Sequence, residues 1–356
     1  MLKSAASLGC ALLVVLAFGC DESLGSNAGD EAAANDNSVP TPDAGNGAQV
    51  PVAPAVPSPA DPGAPYPVVL CHGFFGFDDF ANAGFFNYFY KVRETLVGRG
   101  HLVFTPTVDP FNDSTVRAEE LIKKIEIIVA ETGYPRVNLI GHSQGGLDVR
   151  AVAALRPDLV ESVTTYGTPN TGLALANALH GAKPWDPIRG VLDALVKVVG
   201  RPVWGDEIDK ETSLAAALDT LSQDGIDAFN AEYPDVPGMA YYSIAGRTDW
   251  QQGGPECYPT AGRPDFISKW DRELDPVDPF LAVAEAISDG GLGNPYANDG
   301  FIRVTEATWG QFLGCIPADH LDQVGQLIGD SPGLGNDFDH IEFFSDLIDW
   351  LHQAGH

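Results

Sequence analysis

One short stretch of the chain decides how the rest is interpreted, and it reads Val137-Asn138-Leu139-Ile140-Gly141-His142-Ser143-Gln144-Gly145-Gly146-Leu147. The run at 137–140 predicts a buried strand, and the residues from Gln144 onward predict a helix. Ser143 lies between them with a glycine two places away on either side, a pattern typical of a sharp strand-to-helix turn that presents a reactive serine. The alternative is a purely structural glycine-rich turn, but the strand and helix around it favour a nucleophile.

The rest of the chain alternates short β-branched runs with longer helical patterns. The predicted strands cover 66–70, 101–105, 137–140, 160–166 and 239–245. The predicted helices cover 86–97, 144–155 and 339–352, and a further one begins at Ser114. This alternation predicts an α/β fold in which a mostly parallel sheet is covered by helices on both faces.

The first 64 residues differ in composition from the rest. Lys3, an apolar run at 11–18 and small residues around Cys20 predict a signal peptide over 1–20, either cleaved or of the lipoprotein type with Cys20 lipidated. Residues 21–64 contain seven prolines and ten alanines without an aromatic residue, so we expect a disordered linker. The folded domain is expected over 65–356, and a lipidated Cys20 would tether it to a membrane.

Charge excludes one class of function. The formal net charge is −29, of which residues 65–356 carry −23 (19 bases against 42 acids). A surface this acidic repels phosphate backbones, so no nucleic-acid partner is expected.

The five cysteines do not have the spacing of a zinc site. Cys71 belongs to an apolar strand pattern and is predicted to be a buried thiol. Cys257 and Cys315 lie in loop-like contexts of an exported chain, which predicts a disulfide between them.

The strand–serine–helix stretch resembles the bacterial extracellular triacylglycerol lipases, a group whose folding often needs a dedicated chaperone. The segments at 66–73, 157–160 and 162–169 continue this resemblance. It covers 66–175 well, fades over 176–270 and returns at 278–329, and it departs at Asn170-Thr171, where the family usually has His-Arg. The resemblance implies an α/β-hydrolase fold, an acyl-enzyme mechanism and ester lipids as substrates.

The resemblance also implies an oxyanion hole, in which two backbone amides stabilise the charge that develops during ester cleavage. These amides would belong to Phe74, after the first strand, and to Gln144, directly after the nucleophile. The alternative for 72–76 is a plain turn at the end of a strand.

A catalytic acid and a catalytic histidine should follow the nucleophile in that order. His320 lies in an Asp-His-Leu-Asp segment similar to the one that carries the family's histidine, whereas His340 begins the last predicted helix. Asp299 resembles the family's acid, and Asp249, after a predicted strand, is the rival.

The family holds a structural calcium ion near its catalytic histidine, and calcium prefers carboxylate and carbonyl oxygens. By position, the resemblance implies the carboxylates of Asp278 and Asp322, completed by carbonyls of Gln326 and Asp330. Asp275 is the alternative to Asp278, which lies one residue closer to the predicted acid than the family pattern expects.

A lid or cap is expected over about 172–235. Within it, apolar residues recur at helical spacing over 188–199. They predict either a mobile lid that opens onto lipid or a fixed cap helix with its apolar side turned inward, and periodicity does not distinguish the two.

Together these features predict a secreted or cell-surface bacterial serine ester hydrolase, most simply a triacylglycerol lipase. A carboxylesterase or polyester depolymerase would use the same residues, because a fold does not fix the substrate. A non-catalytic surface lipoprotein is the remaining alternative.

Overall fold

The computed structural model describes residues 61–74, 88–181, 213–248, 254–279, 281–290, 296–326, 329, 332 and 335–356. Five predictions therefore lie outside the described residues: the signal peptide, nearly all of the linker, the apolar helix at 188–199, Asp249 and Asp330. Within the described part of the chain, no helix is long and apolar enough to cross a membrane.

A six-stranded sheet forms the centre of the domain. Its strands are β1 (Val68–Cys71), β2 (Val103–Phe104), β3 (Val137–His142), β4 (Val160–Tyr166), β5 (Ala240–Gly246) and β6 (Gln311–Ile316). Their order in the sheet is β2-β1-β3-β4-β5-β6, and every neighbouring pair is parallel. The carboxyl ends of all six strands consequently lie along one edge, where α/β proteins bind their ligands.

Helices connect and cover the strands. They are α1 (Val92–Gly98), α2 (Ser114–Thr132), α3 (Gln144–Leu155), α4 (Ala174–Gly181), α5 (Leu214–Leu221), α6 (Gln223–Glu232), α7 (Asp265–Ser268), α8 (Ala282–Ser288), α9 (Val304–Ala307) and α10 (His340–Gln353). Short 3-10 turns at Pro157–Leu159 and Pro255–Cys257 complete the described elements.

Alternate residues of each strand face two separate cores. On one side of β1, Val69 and Cys71 pack in a cluster that includes α2 and α3 residues, while Val68 and Leu70 pack in a second cluster with α1 and α10. Since successive strand side chains point to opposite faces, this division places helices on both sides of the sheet. The predicted fold class is confirmed.

The structure differs from the sequence prediction at several boundaries. Among the described residues, the first predicted helix begins at Val92 rather than near residue 86, and the second predicted strand shrinks to two residues. The prediction omitted β6 altogether. The last helix agrees closely, because the Asp339 carboxylate caps it by accepting from the backbone N–H groups of Ile341 and Glu342.

Candidate active site

Ser143 lies in the tight turn between β3 and α3 in a strained backbone conformation. Its φ of 57° and ψ of −132° fall in a region that non-glycine residues rarely adopt. Neighbouring chains press on this turn: a Cβ on Gly141 would lie 2.2 Å from the Gly145 carbonyl oxygen, and one on Gly145 would lie 2.3 Å from that of Cys71. Both positions therefore accept only glycine, as the sequence pattern predicts.

Ser143, His320 and Asp299 form a continuous hydrogen-bonded chain at the carboxyl edge of the sheet. His320 Nε2 lies 2.9 Å from Ser143 Oγ, and His320 Nδ1 lies 2.8 Å from Asp299 Oδ2. The other carboxylate oxygen, Asp299 Oδ1, accepts from the backbone N–H groups of Phe301 and Ile302 at 3.0 and 2.7 Å. The carboxylate is thereby fixed, and its second oxygen orients the imidazole toward the serine hydroxyl.

A second set of buried polar side chains continues this chain inward. Gln323 Nε2 donates to Asp299 Oδ2 at 2.7 Å, and Gln323 Oε1 accepts from His142 Nε2 at 3.2 Å. Since His142 Nε2 therefore carries the proton, Nδ1 accepts from the Tyr88 hydroxyl at 2.7 Å. Burial and the nearby His320 lower the pKa of His142 well below its ordinary value, so the ring is neutral.

The loop after β1 is held against Ser143 by a buried ion pair. The Arg117 guanidinium donates to Asp148 Oδ2 at 2.8 Å and to the His72 carbonyl at 2.5 Å, and neither charged side chain is exposed to solvent. A Cβ on Gly73 would lie 2.5 Å from that of Ser143, which shows how closely the loop approaches Ser143.

The two residues predicted to form the oxyanion hole are each adjacent in sequence to a residue of this close contact between Gly73 and Ser143. Phe74 comes immediately after Gly73, and Gln144 is the first residue of α3. The Gln144 side-chain amide donates to the Asn112 carbonyl at 2.7 Å. A helix N-terminus next to the serine favours negative charge there.

His72 supports the same loop as a neutral ring. Its Nε2 accepts from the Val108 N–H at 3.0 Å, and its Nδ1 lies 2.9 Å from the Gly73 carbonyl. Burial, together with the positive charge of Arg117, lowers the pKa of His72 to about 3. The neutral ring thus links the loop after β1 to the backbone of Val108 through hydrogen bonds.

The rival histidine occupies a different position in the structure. His340 Nε2 donates to the Tyr90 carbonyl at 2.9 Å at the start of α10, and burial lowers the pKa of this ring. Its hydrogen bond therefore joins α10 to the segment before α1, whereas His320 is hydrogen-bonded to Ser143.

Three buried carboxylates lie next to the His320 loop. Asp275, Asp319 and Asp322 each offer an oxygen within 4.8 Å of the others. This group contains Asp322 and the alternative residue Asp275. Asp278, the favoured ligand, contacts the group through its backbone N–H, which donates to Asp319 Oδ2 at 2.9 Å.

Asp319 was not singled out from the sequence, although it directly precedes the predicted histidine. Burial, which outweighs its backbone hydrogen bonds, raises its pKa to about 6, and the charge of Asp278 contributes. Such a buried, all-oxygen carboxylate group fits the preference of calcium. Gln326 is half-buried at the end of the same loop.

Cys257 and Cys315 form a disulfide across 58 residues of sequence, and Cys71 is a buried free thiol. Cys315 lies on β6, five residues before His320. The bridge therefore fixes the strand that leads into the His320 loop.

A parallel sheet with a strained serine turn at its carboxyl edge defines a class of hydrolases. The family model for the alpha/beta hydrolase fold matches residues 66–284. The chain belongs to this family.

Two relatives carry the closer assignment. The chain is 34% identical over 275 residues to a triacylglycerol lipase of Vibrio cholerae, covering 74% of this chain and 81% of that protein. It is 30% identical over 299 residues to a triacylglycerol lipase of Pseudomonas fragi, covering 82% of this chain and 97% of that protein. The chain therefore belongs to the bacterial triacylglycerol lipases and is an enzyme, a carboxylic ester hydrolase. In fold it is similar to the crystal structure of Staphylococcus hyicus lipase, with a TM-score of 0.53 at 18% identity, covering 84% of this chain and 98% of that one.

Proposed function

We propose that this enzyme is a triacylglycerol lipase that acts through Ser143, His320 and Asp299. The observation that carries the proposal is the pair of hydrogen bonds of the His320 ring, 2.9 Å to Ser143 Oγ and 2.8 Å to Asp299 Oδ2. The relatives named triacylglycerol lipases support the substrate class.

In the first half of the reaction, His320 Nε2 takes the proton of Ser143 as Oγ bonds to the ester carbonyl carbon. Asp299 stabilises the imidazolium that forms, and the amides of Phe74 and Gln144 bind the oxyanion. When the ester bond breaks, His320 returns the proton to the departing alcohol.

In the second half, water attacks the acyl-enzyme, and His320 again removes a proton. The tetrahedral intermediate then releases a fatty acid, and Ser143 regains its hydrogen. Each residue is thus restored to its starting state, with one water consumed per ester bond.

Export, lipidation of Cys20 and assistance by a lipase-specific chaperone are part of the proposal. The positive start, apolar run and Cys20 of the first 20 residues support export to the cell surface or medium. The Cys257–Cys315 bridge supports an oxidising compartment.

We also assign the carboxylate cluster Asp275, Asp319 and Asp322 as the calcium site, with Asp278 and Gln326 beside it. Bound calcium would neutralise these buried charges and stabilise the loop that orients His320. It takes no part in the chemistry.

The deciding experiment compares wild type with Ser143→Ala on a long-chain triacylglycerol emulsion and on a short soluble ester. We expect wild type to hydrolyse both and to prefer the emulsion, while the folded Ser143→Ala protein hydrolyses neither and resists fluorophosphonate labelling. Preference for the soluble ester would make the enzyme a carboxylesterase with the same triad. Substantial turnover by purified Ser143→Ala would disprove the assigned nucleophile.

A further inference from the structure

Three potential metal ligands lie together at the edge of the sheet opposite the active site. His101, Asp349 and His352 each offer one ligand atom, and these atoms lie within 4.8 Å of one another. The two histidines are half-buried and Asp349 is exposed. We propose that this group is a binding site for a zinc-type divalent transition metal.

The topology places the group far from catalysis. His101 lies two residues before β2, just as Tyr66 lies two residues before β1, and the two parallel strands pair Val68 with Val103. The segment that carries His101 and the Tyr66 segment, whose backbone is hydrogen-bonded to His352, therefore both lie at the amino ends of their strands. Ser143, in contrast, follows the carboxyl end of β3.

Distances within the group suit a small metal ion. His101 Nε2 lies 3.7 Å from Asp349 Oδ1, and the two histidine rings have their centroids 5.5 Å apart at an interplanar angle of 36°. At zinc–ligand distances of roughly 2.0–2.2 Å, two ligands at a tetrahedral angle lie roughly 3.3–3.6 Å apart. The Asp349 side chain is exposed, so it has room for the small shift that this spacing requires.

The hydrogen bonding of His352 is consistent with a ligand role. Its Nε2 is buried, and no described residue supplies it with a hydrogen-bond partner. Burial lowers the pKa of His352, against a hydrogen bond to the Tyr66 backbone that raises it. Buried polar atoms are nearly always paired, so an orphan nitrogen calls for a water or an ion.

The donor set selects the class of metal. Two imidazoles and one carboxylate suit zinc and its neighbours, whereas calcium and magnesium prefer oxygen ligands alone. Asp349 and His352 are three residues apart on α10, so they share one face of that helix. A bound ion would join α10 to the segment entering β2, leaving a fourth position for water.

The test is calorimetric titration of the full-length protein with Zn²⁺ in millimolar Ca²⁺, which occupies oxygen-only sites. We expect one saturable Zn²⁺ per chain, a rise in melting temperature and, with Co²⁺, the visible absorption of tetrahedral coordination. His101→Gln and His352→Gln should each weaken binding at least about tenfold. Asp346→Asn, on the same helix but outside the group, should bind as wild type does.

Asp349→Asn protects the test against misfolded histidine variants, because this side chain is exposed and should be dispensable for packing. It should fold normally and lose the zinc-dependent rise in melting temperature. The proposal is overturned if wild type shows no saturable Zn²⁺ binding. It is equally overturned if all three variants bind Zn²⁺ with wild-type affinity, because the ion would then be bound at another site, for example at His320.

Discussion

Gln323 donates a hydrogen bond of 2.7 Å from its side-chain amide to Asp299 Oδ2, the oxygen that also receives His320 Nδ1. The amide is completely buried, and its oxygen accepts from His142. Gln323 therefore holds the Asp299 carboxylate without adding a charge to it.

We expect Gln323→Ala to lower kcat about tenfold with little change in KM, because a hydrogen bond to a charged group contributes about 1.5–3 kcal/mol, part of it in the transition state. Stopped assays on a soluble ester measure both constants. An unchanged kcat in the folded Gln323→Ala protein would show that the hydrogen bond to Asp299 does not act in catalysis.

His320→Ala and His340→Ala form a matched pair. Loss of His320 should reduce kcat at least about a thousandfold, because the proton acceptor for Ser143 is gone. Loss of His340 removes the bond to the Tyr90 carbonyl and the packing of the ring against Gly325, so activity should persist at a lower melting temperature. The reverse pattern, with one soluble ester, would exchange the two assignments.

Removal of calcium should lower the melting temperature by several degrees, because an ion that binds only the folded state stabilises it by mass action. Asp322→Ala should reproduce this loss and respond little to added calcium. Asp337→Ala, an exposed acid outside the cluster, is the control. Identical melting with chelator and with millimolar calcium would contradict the site.

Asp148→Ala should destabilise the protein by about 3–5 kcal/mol, because it leaves the Arg117 charge buried without its partner. Arg136→Ala breaks an exposed pair with Glu161 and should cost less than about 1 kcal/mol. Denaturant unfolding measures both. Similar decreases in the free energy of unfolding for the two variants would show that breaking the buried Arg117–Asp148 pair costs no more than breaking an exposed pair.

Ionisation of Glu306 should make the free energy of unfolding depend on pH. Burial raises its pKa to about 7 from an ordinary value of 4.5, so the folded state binds the proton more tightly. Protonated Glu306 therefore stabilises the folded state, an effect that is complete below pH 4.5 and is lost as the pH rises through 7. The largest change this shift allows is about 3 kcal/mol.

Glu306→Gln should remove this component. Unfolding free energies of both proteins at several pH values give the difference curve, which should fall between pH 4.5 and about pH 7, by a few kcal/mol at most. Wild-type and variant curves that stay parallel over that range would show that Glu306 titrates normally.

The sequence predicted those features that depend on local chemistry. Ser143 was predicted because glycines flank it between a strand and a helix, and Gly141 and Gly145 do make the close approaches that the pattern requires. The parallel sheet followed from alternation of strand and helix patterns. His320 and Asp299 needed the family resemblance, since a lone histidine or aspartate in a loop has no local signature.

Features that depend on distant contacts were missed. Strand β6 contains Gly314 at a φ of 123° and has no clear alternation, so its place in the sheet is fixed by pairing with β5. Gln323 and Asp319 look like ordinary polar residues after a turn. Their contacts form only in the folded chain, where Gln323 lies next to Asp299 and Asp319 lies next to Asp275.

The Cys257–Cys315 bridge has a consequence for producing the enzyme. In the reducing cytoplasm of an expression host, these two cysteines, separated by 58 positions in sequence, would remain thiols, and the segment between them would be free to sample many more unfolded arrangements. By the chain-entropy account this forfeits roughly 4 kcal/mol. Two batches of identical sequence, one recovered from the cytoplasm and one from the medium, would then differ in shelf life and heat tolerance.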